Sequence, residues 1–265
     1  MSLRSMVGNS IKRVLSLLPQ AVLGSIERLM QDAQGKGWGA ATLSNEVHAI
    51  KELLGGFFDP SVAFDVGANN GEWAEVFHGI FPNAKIYCFE PSSRATEVLN
   101  ARFSKNPSIV LENTALSNQN GEETLWFDSP GSGLASLVKR DLTQFGIDYS
   151  SSESVQVTTL DSYCDKYGVL PVVIKLDIEG SELKALQGGE IILETVQVIQ
   201  FEFGGTNIDS RTYFRDFFQF LSTRGFQIYR LGPRGLTLIT IAREEDEIFR
   251  VTNYFARREP SFIVS

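Results

Sequence analysis

Apolar residues near the start of the chain recur at the spacing of an amphipathic helix. Within residues 10–33 they follow one another at intervals of three and four, which places them on one helix face. Pro19 interrupts this run and is expected to kink or split the helix. A further helix is predicted from Leu43 to Leu54, because two glycines directly after it form a stop signal. The pattern therefore predicts a helical extension over residues 1–58.

Beyond the extension, short apolar runs alternate with helical stretches, which is typical of a mostly parallel sheet covered on both faces. The last two runs are joined by four residues, too few for a parallel crossover, so they are predicted to form an antiparallel hairpin. These features predict an α/β domain over residues 59–246, followed by a C-terminal tail at 247–265. The strands are predicted at 62–66, 85–89, 109–113, 172–177, 196–203, 227–231 and 236–241.

Residues 124–159 interrupt this alternation. A short strand pattern at 124–128 leads into a loop rich in serine, proline and glycine, and residues 148–154 are polar. Long irregular stretches in a compact domain are often lids over a ligand site. We expect ligand selectivity to depend on residues 128–154 and on the N-terminal extension.

Composition and charge narrow the classes of function. Of the 265 residues, 43% are hydrophobic and 21% are charged, as in an ordinary globular protein with a buried core. The net charge of −8 argues against nucleic acid as the main partner, because phosphate binding needs a basic surface. Two cysteines are too few for a disulfide framework, and no apolar run reaches the ~20 residues that span a bilayer. These features predict a cytoplasmic protein without a transmembrane segment.

The sequence allows three surroundings for the N-terminal helix. Residues 1–31 hold four basic groups and one acidic group, so a helix lying on a membrane surface is one interpretation. The alternatives are a helix packed on the core and a homodimer formed through the N-terminal helices.

The strongest local signal for a ligand site is the segment 65–71, Asp-Val-Gly-Ala-Asn-Asn-Gly. Gly67 allows a sharp bend and a close approach of the backbone to a ligand, and Gly71 precedes a helix whose first N–H groups are unpaired. With Asn69 between these glycines, the turn lacks the glycine pattern of dinucleotide sites, which disfavours a nucleotide-dependent oxidoreductase. Asp65 instead suits the cationic amino acid end of S-adenosylmethionine. An ordinary strand-to-helix turn is the alternative.

A second acid, Glu90, ends the next predicted strand. It lies 19 residues after Gly71, close to the ~20-residue offset of the acid that binds ribose hydroxyls in nucleotide-binding α/β folds. A helix-capping acid is the alternative. Because both acids would flank one crevice, the pair indicates a nucleoside ligand.

The third signal is a run of charges in an apolar strand. Alternation places Lys175, Asp177 and Glu179 on one side of an extended segment, at the sheet edge where ligands bind in open α/β folds. These residues are candidates for catalysis, and a buried structural ion network is the alternative. Asp177 and Glu202, which ends the following strand, could also bind a divalent cation such as Mg2+. A metal-free polar pocket is the alternative there.

These segments together resemble the FkbM family of methyltransferases over residues 60–245. The segment Lys175–Glu182 is the most specific to that family. The other matching segments are Asp65–Gly71, Phe89–Pro91, Asn113–Ser117 and Thr159–Tyr163.

The resemblance implies a Rossmann-like sheet with a terminal antiparallel hairpin. It also implies S-adenosylmethionine as methyl donor and a small-molecule or glycan acceptor with a hydroxyl group, often a sugar or secondary metabolite. A catalytically silent binding module on the same fold remains an alternative. The residues expected to hold the cofactor are Asp65, Gly67, Asn69, Gly71 and Glu90, with Asn113 and Ala115 near the adenine. The residues expected to act on the acceptor are Lys175, Asp177, Glu179 and Glu202.

Overall fold

The structure is a computed structural model that describes residues 12–38, 43–56 and 59–259. Residues 12–15 are helical, and helix α1 (Gln20–Ala33) begins directly after Pro19, so the proline splits the predicted N-terminal helix. The first two residues of that predicted helix lie outside the described residues. Helix α2 (Leu43–Leu53) follows as expected. No helix in the described part of the chain is long and apolar enough to cross a membrane.

The described residues of the α/β domain form two sheets flanked by helices. In chain order the strands are β1 (Val62–Val66), β2 (Lys85–Phe89), β3 (Ile109–Glu112), β4 (Ala115–Leu116), β5 (Gly121–Phe127), β6 (Ser151–Thr158), β7 (Val173–Leu176), β8 (Val198–Phe203), β9 (Phe226–Gly232), β10 (Gly235–Ile239) and β11 (Thr252–Arg258). The helices are α3 (Glu72–Ile80), α4 (Ser93–Phe103), α5 (Leu160–Tyr167), α6 (Glu182–Gln187), α7 (Thr206–Ser210) and α8 (Phe214–Ser222).

The larger sheet has the strand order β10-β9-β11-β8-β7-β1-β2-β3. Strands β8, β7, β1, β2 and β3 are parallel. The strand order reverses at β1, which has β2 on one side and β7 on the other, and ligands of open α/β sheets bind at such a reversal. The predicted Rossmann-like, mostly parallel sheet is confirmed.

Residues 252–258 complete this sheet, so the predicted tail at 247–265 is wrong over this range. Strand β11 lies between β8 and β9 and is antiparallel to both. The predicted antiparallel hairpin is present as β9 and β10 at the sheet edge. The apolar core of β11 is the short run Tyr254–Ala256, flanked by polar residues and arginines. Such a short run shows its strand character only when neighbouring strands bury it.

The second sheet, β4-β6-β5, occupies part of the segment predicted to be irregular. Strand β6 begins within the polar stretch 148–154, at Ser151, and its backbone pairs antiparallel with β5. Its first four residues are Ser-Ser-Glu-Ser, a composition with low strand propensity, so the pattern of the segment alone does not predict a strand. Leu125, Val155 and Val157 form a small apolar core under this sheet.

Helices cover both faces of the larger sheet and so position its carboxyl edge. On one face α2, α3 and α4 contribute Val47, Phe77 and Leu99 to the core. On the other face α5, α6 and α8 contribute residues such as Leu186 and Phe217. The N-terminal extension therefore packs beside the helix that follows the glycine turn.

Strands β1 and β7 come so close at the glycine turn that only a glycine fits there. Gly67 has φ +78, and a Cβ on it would overlap the carbonyl oxygen of Asp177. The sequence suggests a close approach to a ligand as the reason for this glycine. The structure adds a close approach to the neighbouring strand.

We predict that Gly67→Ala lowers the free energy of unfolding by about 2–5 kcal/mol, because the left-handed φ and the overlap with β7 both disfavour a Cβ. Gly168→Ala is the matched control. Gly168 also has a positive φ, +63, but no neighbouring atom lies within 4 Å of the position that a Cβ would take there, so a loss of about 1–2 kcal/mol is expected. Denaturant unfolding measures both, and equal losses would contradict the close-approach argument.

Candidate active site

Two neighbouring cavities open at the carboxyl ends of β1, β2, β7 and β8. The first has a volume of about 290 Å³ and the second about 210 Å³. Gly67, Asn69, Asp177 and Glu202 line both cavities, so the two spaces meet at the glycine turn and at two of the predicted acids.

The first cavity is apolar on one side and polar on the other. Its apolar wall contains Phe89, Ala115, Leu116, Leu125 and Leu137. Its polar wall contains Glu90 and the three acids Asp177, Glu179 and Glu202. A cavity with a mostly apolar wall and a few placed polar groups is typical of small-molecule sites.

Glu90 is held at the wall of the first cavity by the glycine turn. One carboxylate oxygen accepts the backbone N–H of Asn69 at 2.8 Å, and the other accepts that of Ser92 at 2.9 Å. Burial raises the pKa of Glu90 above its usual range, although these two hydrogen bonds lower it. Each oxygen keeps a second lone pair, so the fixed carboxylate can still accept hydrogen bonds from a ligand.

Asp65 lies beneath the turn and lines neither cavity. Its side chain is fully buried, and Lys175 Nζ lies 3.0 Å from Asp65 Oδ1 while donating to the carbonyl oxygen of Gly67 at 3.0 Å. Burial raises the pKa of Asp65, and the charge of Lys175 opposes that shift. The geometry therefore supports a role for Asp65 in holding the turn.

Of the other predicted cofactor residues, some line the first cavity and others support the backbone around it. Ala115 lines the first cavity. Gly71 has φ +81 and faces the ring of Phe103, so it shapes the start of α3. Asn113 lies off the cavity, and its Nδ2 donates to the carbonyl oxygen of Glu90 at 3.0 Å. Asn113 thereby ties the end of β3 to the end of β2.

Three of the predicted acids converge at the sheet edge. Carboxylate oxygens of Asp177, Glu179 and Glu202 lie within 4.8 Å of one another. Lys175 Nζ lies 3.5 Å from Asp177 Oδ2, but no described residue donates a hydrogen bond to the Glu202 carboxylate or forms an ion pair with it. Burial and the charge of Asp177 raise the pKa of Glu202 well above its usual range.

The sequence analysis did not identify Arg140, which lies in the segment 128–150 and forms an ion pair with Glu179. Arg140 Nη1 lies 2.7 Å from Glu179 Oε2, and Ser136 Oγ donates to the carbonyl oxygen of Glu179 at 2.7 Å. Glu179 has φ +54, a conformation that surrounding contacts must hold in place. No periodic pattern marks an arginine in an irregular loop, so only its contact reveals its role.

The last acid of the charged motif, Glu182, stabilises the loop after β7 that contains Asp177 and Glu179. It is buried and accepts the backbone N–H groups of Ile178 at 3.0 Å and of Gly180 at 3.1 Å. Burial raises the pKa of Glu182 to about 7, while these backbone hydrogen bonds lower it. Glu182 therefore fixes the path of the chain past Asp177 and Glu179.

Glu46 is a second residue that the sequence analysis did not single out. It lies on α2, is 4% exposed and lines the second cavity together with Lys175, Asp177 and Glu202. Its carboxylate accepts hydrogen bonds from Gln200 and Asn253. The extension therefore contributes a buried acid to the neighbourhood of the glycine turn.

Comparison with protein families matches residues 65–228 to the family described as "Methyltransferase FkbM domain". A similar curated protein is 2-O-methyltransferase NoeI of Sinorhizobium fredii, which is 25% identical over 231 residues. That similarity covers 83% of this chain and 93% of the relative.

Similar solved structures are also methyltransferases by description. Methyltransferase FkbM from Methylobacillus flagellatus KT is 18% identical with a TM-score of 0.46, and the match covers 76% of this chain and 45% of that one. The chain thus spans less than half the length of that protein. A putative O-methyltransferase from Klebsiella pneumoniae is 9% identical with a TM-score of 0.46, and the match covers 96% and 97% of the two chains.

We predict that Arg140→Met destabilises the protein by about 3–5 kcal/mol at pH 8.5, because it leaves the Glu179 charge buried without its partner. Burial raises the pKa of Glu179 to about 7, and Arg140 lowers it. Without Arg140 the pKa rises further, so Glu179 is protonated at pH 5.5 and the loss there is smaller. Thermal unfolding at both pH values measures the difference.

The double variant Arg140→Met/Glu179→Gln is the control for this prediction. It removes the titrating group, so its stability is expected to vary less between pH 5.5 and 8.5 than that of the single variant. A single variant equally destabilised at both pH values would show that the Glu179 charge is not the cause.

Proposed function

The chain belongs to the FkbM family of S-adenosylmethionine-dependent methyltransferases, and from that membership we propose that it methylates a hydroxyl oxygen of a sugar or secondary metabolite. The observation that carries this proposal is the Glu90 carboxylate, held by the glycine turn at the wall of a cavity whose opposite side is apolar. The name of the relative NoeI, a 2-O-methyltransferase, supports oxygen as the methylated atom.

The first cavity fits the nucleoside part of S-adenosylmethionine. Glu90 is placed to accept hydrogen bonds from the ribose hydroxyls, and Ala115, Leu116 and Leu125 offer an apolar surface for the adenine. Gly67 and Asn69 bring backbone atoms to the cavity without a long side chain between them. When bound, S-adenosylmethionine supplies a methyl group on a positively charged sulfur.

Glu202 is the candidate we favour for accepting the proton of the acceptor hydroxyl. Asp177 is already compensated by Lys175, and Glu179 by Arg140, whereas the raised pKa of Glu202 makes it a stronger base. As the acceptor oxygen takes the methyl group, its proton would pass to Glu202. Lys175 is 5% exposed and held by Asp65 and the turn, so we assign it the role of positioning Asp177.

A divalent cation at Asp177 and Glu202 is a second candidate for activating the acceptor. The observation in its favour is the 4.8 Å cluster of carboxylate oxygens, since hard cations such as Mg2+ prefer oxygen ligands. The cation would then lower the pKa of the acceptor hydroxyl, and Glu202 would act as a ligand.

The negative charge of the site limits which acceptors can bind. Uncompensated carboxylates near the transfer point disfavour an acidic acceptor, so we propose a neutral or cationic small molecule or glycan.

The homodimer through the N-terminal helices stays a prediction. It is consistent with α1, which has no buried residue and exposes Leu29 and Met30. The cytoplasmic location and the exclusion of nucleic acid also stay predictions.

We predict that Glu90→Gln weakens S-adenosylmethionine binding by about 1–3 kcal/mol, because it removes the charge that strengthens hydrogen bonds from the ribose. Calorimetry measures the affinity, with Glu97→Gln as the control. Glu97 is an exposed acid on α4 paired with Arg94, so its loss is expected to leave binding unchanged. An unaltered affinity in Glu90→Gln would remove this residue from the cofactor site.

We predict that Glu202→Gln lowers kcat by about 10²–10⁴-fold with little effect on cofactor affinity, because the hydroxyl proton then has no acceptor. In the wild type, kcat is expected to rise with pH as Glu202 loses its proton, and this rise is expected to be absent from the variant. Methyl transfer to a panel of hydroxylated acceptors, followed by mass detection, measures both. Glu190→Gln, at an exposed acid paired with Arg224, is the control.

The same assay separates the two roles of Glu202. Activity that survives a chelator supports proton acceptance without a metal. Activity that a chelator abolishes and Mg2+ restores supports the cation instead. A protein that binds S-adenosylmethionine but transfers no methyl group to any acceptor would favour a binding module over an enzyme.

A further inference from the structure

The second cavity is built partly from segments outside the matched region 65–228. Glu46 comes from α2 and Asn253 from β11. They meet the glycine turn, Asp177 directly after β7 and Glu202 within β8. Asn253 Nδ2 donates to Glu46 Oε1 at 2.9 Å across a separation of 207 residues. Helix α2 and strand β11 thus close a cavity next to the proposed cofactor site.

The hydrogen bonds around Glu46 are oriented to hold it as an acceptor. The indole N–H of Trp73 can only donate, and it donates to Gln200 Oε1 at 3.2 Å. The Gln200 amide must therefore turn its NH2 group toward Glu46, where Nε2 donates to Oε2 at 2.6 Å. Both oxygens of Glu46 accept one hydrogen bond from protein and keep a lone pair for another donor.

The charge of the second cavity is strongly negative. Glu46, Glu72, Asp177 and Glu202 line it. Lys175 is the one cationic side chain among the described residues that line it, and it is already paired with Asp65. A cation with hydrogen-bond donors is the ligand that such a wall favours.

The second cavity adjoins the first, and Gly67, Asn69, Asp177 and Glu202 line both. The aminoacyl end of a ligand whose ribose lies at Glu90 is therefore close to the acidic space on the other side of the turn. We propose that Glu46 binds the positively charged amino group at the aminoacyl end of S-adenosylmethionine, a role for which the sequence suggests Asp65. This inference rests on the proposed function and assigns part of cofactor recognition to the N-terminal extension.

The attraction between the Glu46 carboxylate and the amino group of the cofactor depends on pH. Burial raises the pKa of Glu46 to about 7, opposed by the Gln200 hydrogen bond and Lys175 and reinforced by the charges of Asp177 and Asp65. The amino group of a free amino acid stays protonated as the pH rises through this value, because the carboxylate beside it stabilises its charge. Glu46 is protonated below its pKa and charged above it, so the contact strengthens as the pH rises through about 7.

Two truncated cofactors test the proposal. S-adenosylhomocysteine carries the aminoacyl end without the charged sulfur, and 5′-methylthioadenosine lacks the aminoacyl end. We expect Glu46→Gln to weaken S-adenosylhomocysteine binding about 10- to 100-fold and to leave 5′-methylthioadenosine binding unchanged. Calorimetry measures both dissociation constants. Glu52→Gln, an exposed acid on the same helix, is the matched control and is expected to change neither.

Equal weakening of both ligands would overturn the proposal, because it would show a general disturbance of the site. An altered KM for the acceptor with unchanged S-adenosylhomocysteine affinity would also overturn it and would assign the second cavity to the acceptor. Wild-type protein that binds neither ligand would instead contradict the proposed function itself.

The wild type alone provides a second test that does not depend on how the variant folds. The ratio of the two dissociation constants is expected to shift in favour of S-adenosylhomocysteine as the pH rises through about 7, the pKa of Glu46. A ratio that stays flat from pH 6 to 9 would overturn the proposal.

Discussion

The buried ammonium group of Lys175 is the constraint on which the rest of the site depends. A lysine that is 5% exposed needs compensating oxygens, and it finds them on Asp65 of β1, on the carbonyl of Gly67 and on Asp177. Removing one partner of such a group typically costs about 3–5 kcal/mol. The need to satisfy one cation therefore locks β7 against β1 and fixes the glycine turn at the edge where the two strands end.

The negative charges of the remaining acids are not all balanced by a partner. The acids that have a partner have a structural role, and the acids that lack a cationic partner are available for chemistry. Glu182 accepts backbone N–H groups and Glu179 is paired with Arg140, so both hold the loop after β7 in place. Glu46 is buried and Glu202 is half-buried, and neither has a cationic partner of its own. Burial and the charge of Asp177 raise the pKa values of both. Acids in that condition are suited to accept a proton or to bind a cation.

Segments outside the parallel strands build the walls around this shared centre. Helix α2 and strand β11 close the second cavity, and residues 132–137 form part of the wall of the first. Arg140 and Ser136 fasten that wall to Glu179. The ribose side of the proposed cofactor site is thus made by the parallel strands, whereas its apolar wall draws on the second sheet and the second cavity draws on α2 and β11.

Features carried by neighbouring residues were determined by the sequence alone. The bounds of β1 and β2, the glycine turn between β1 and α3, and the offset of Glu90 follow from local apolar patterns, glycine conformations and the fixed length of a strand-turn-helix unit. Only the tertiary structure decided the features that need distant partners. Asp65 is buried because Lys175 lies beside it, β11 is a strand because β8 and β9 flank it, and Glu46 reaches Gln200 across 154 residues. A local pattern cannot encode such pairings, because the free energy of a buried charge or a central strand depends on neighbours that folding alone brings together.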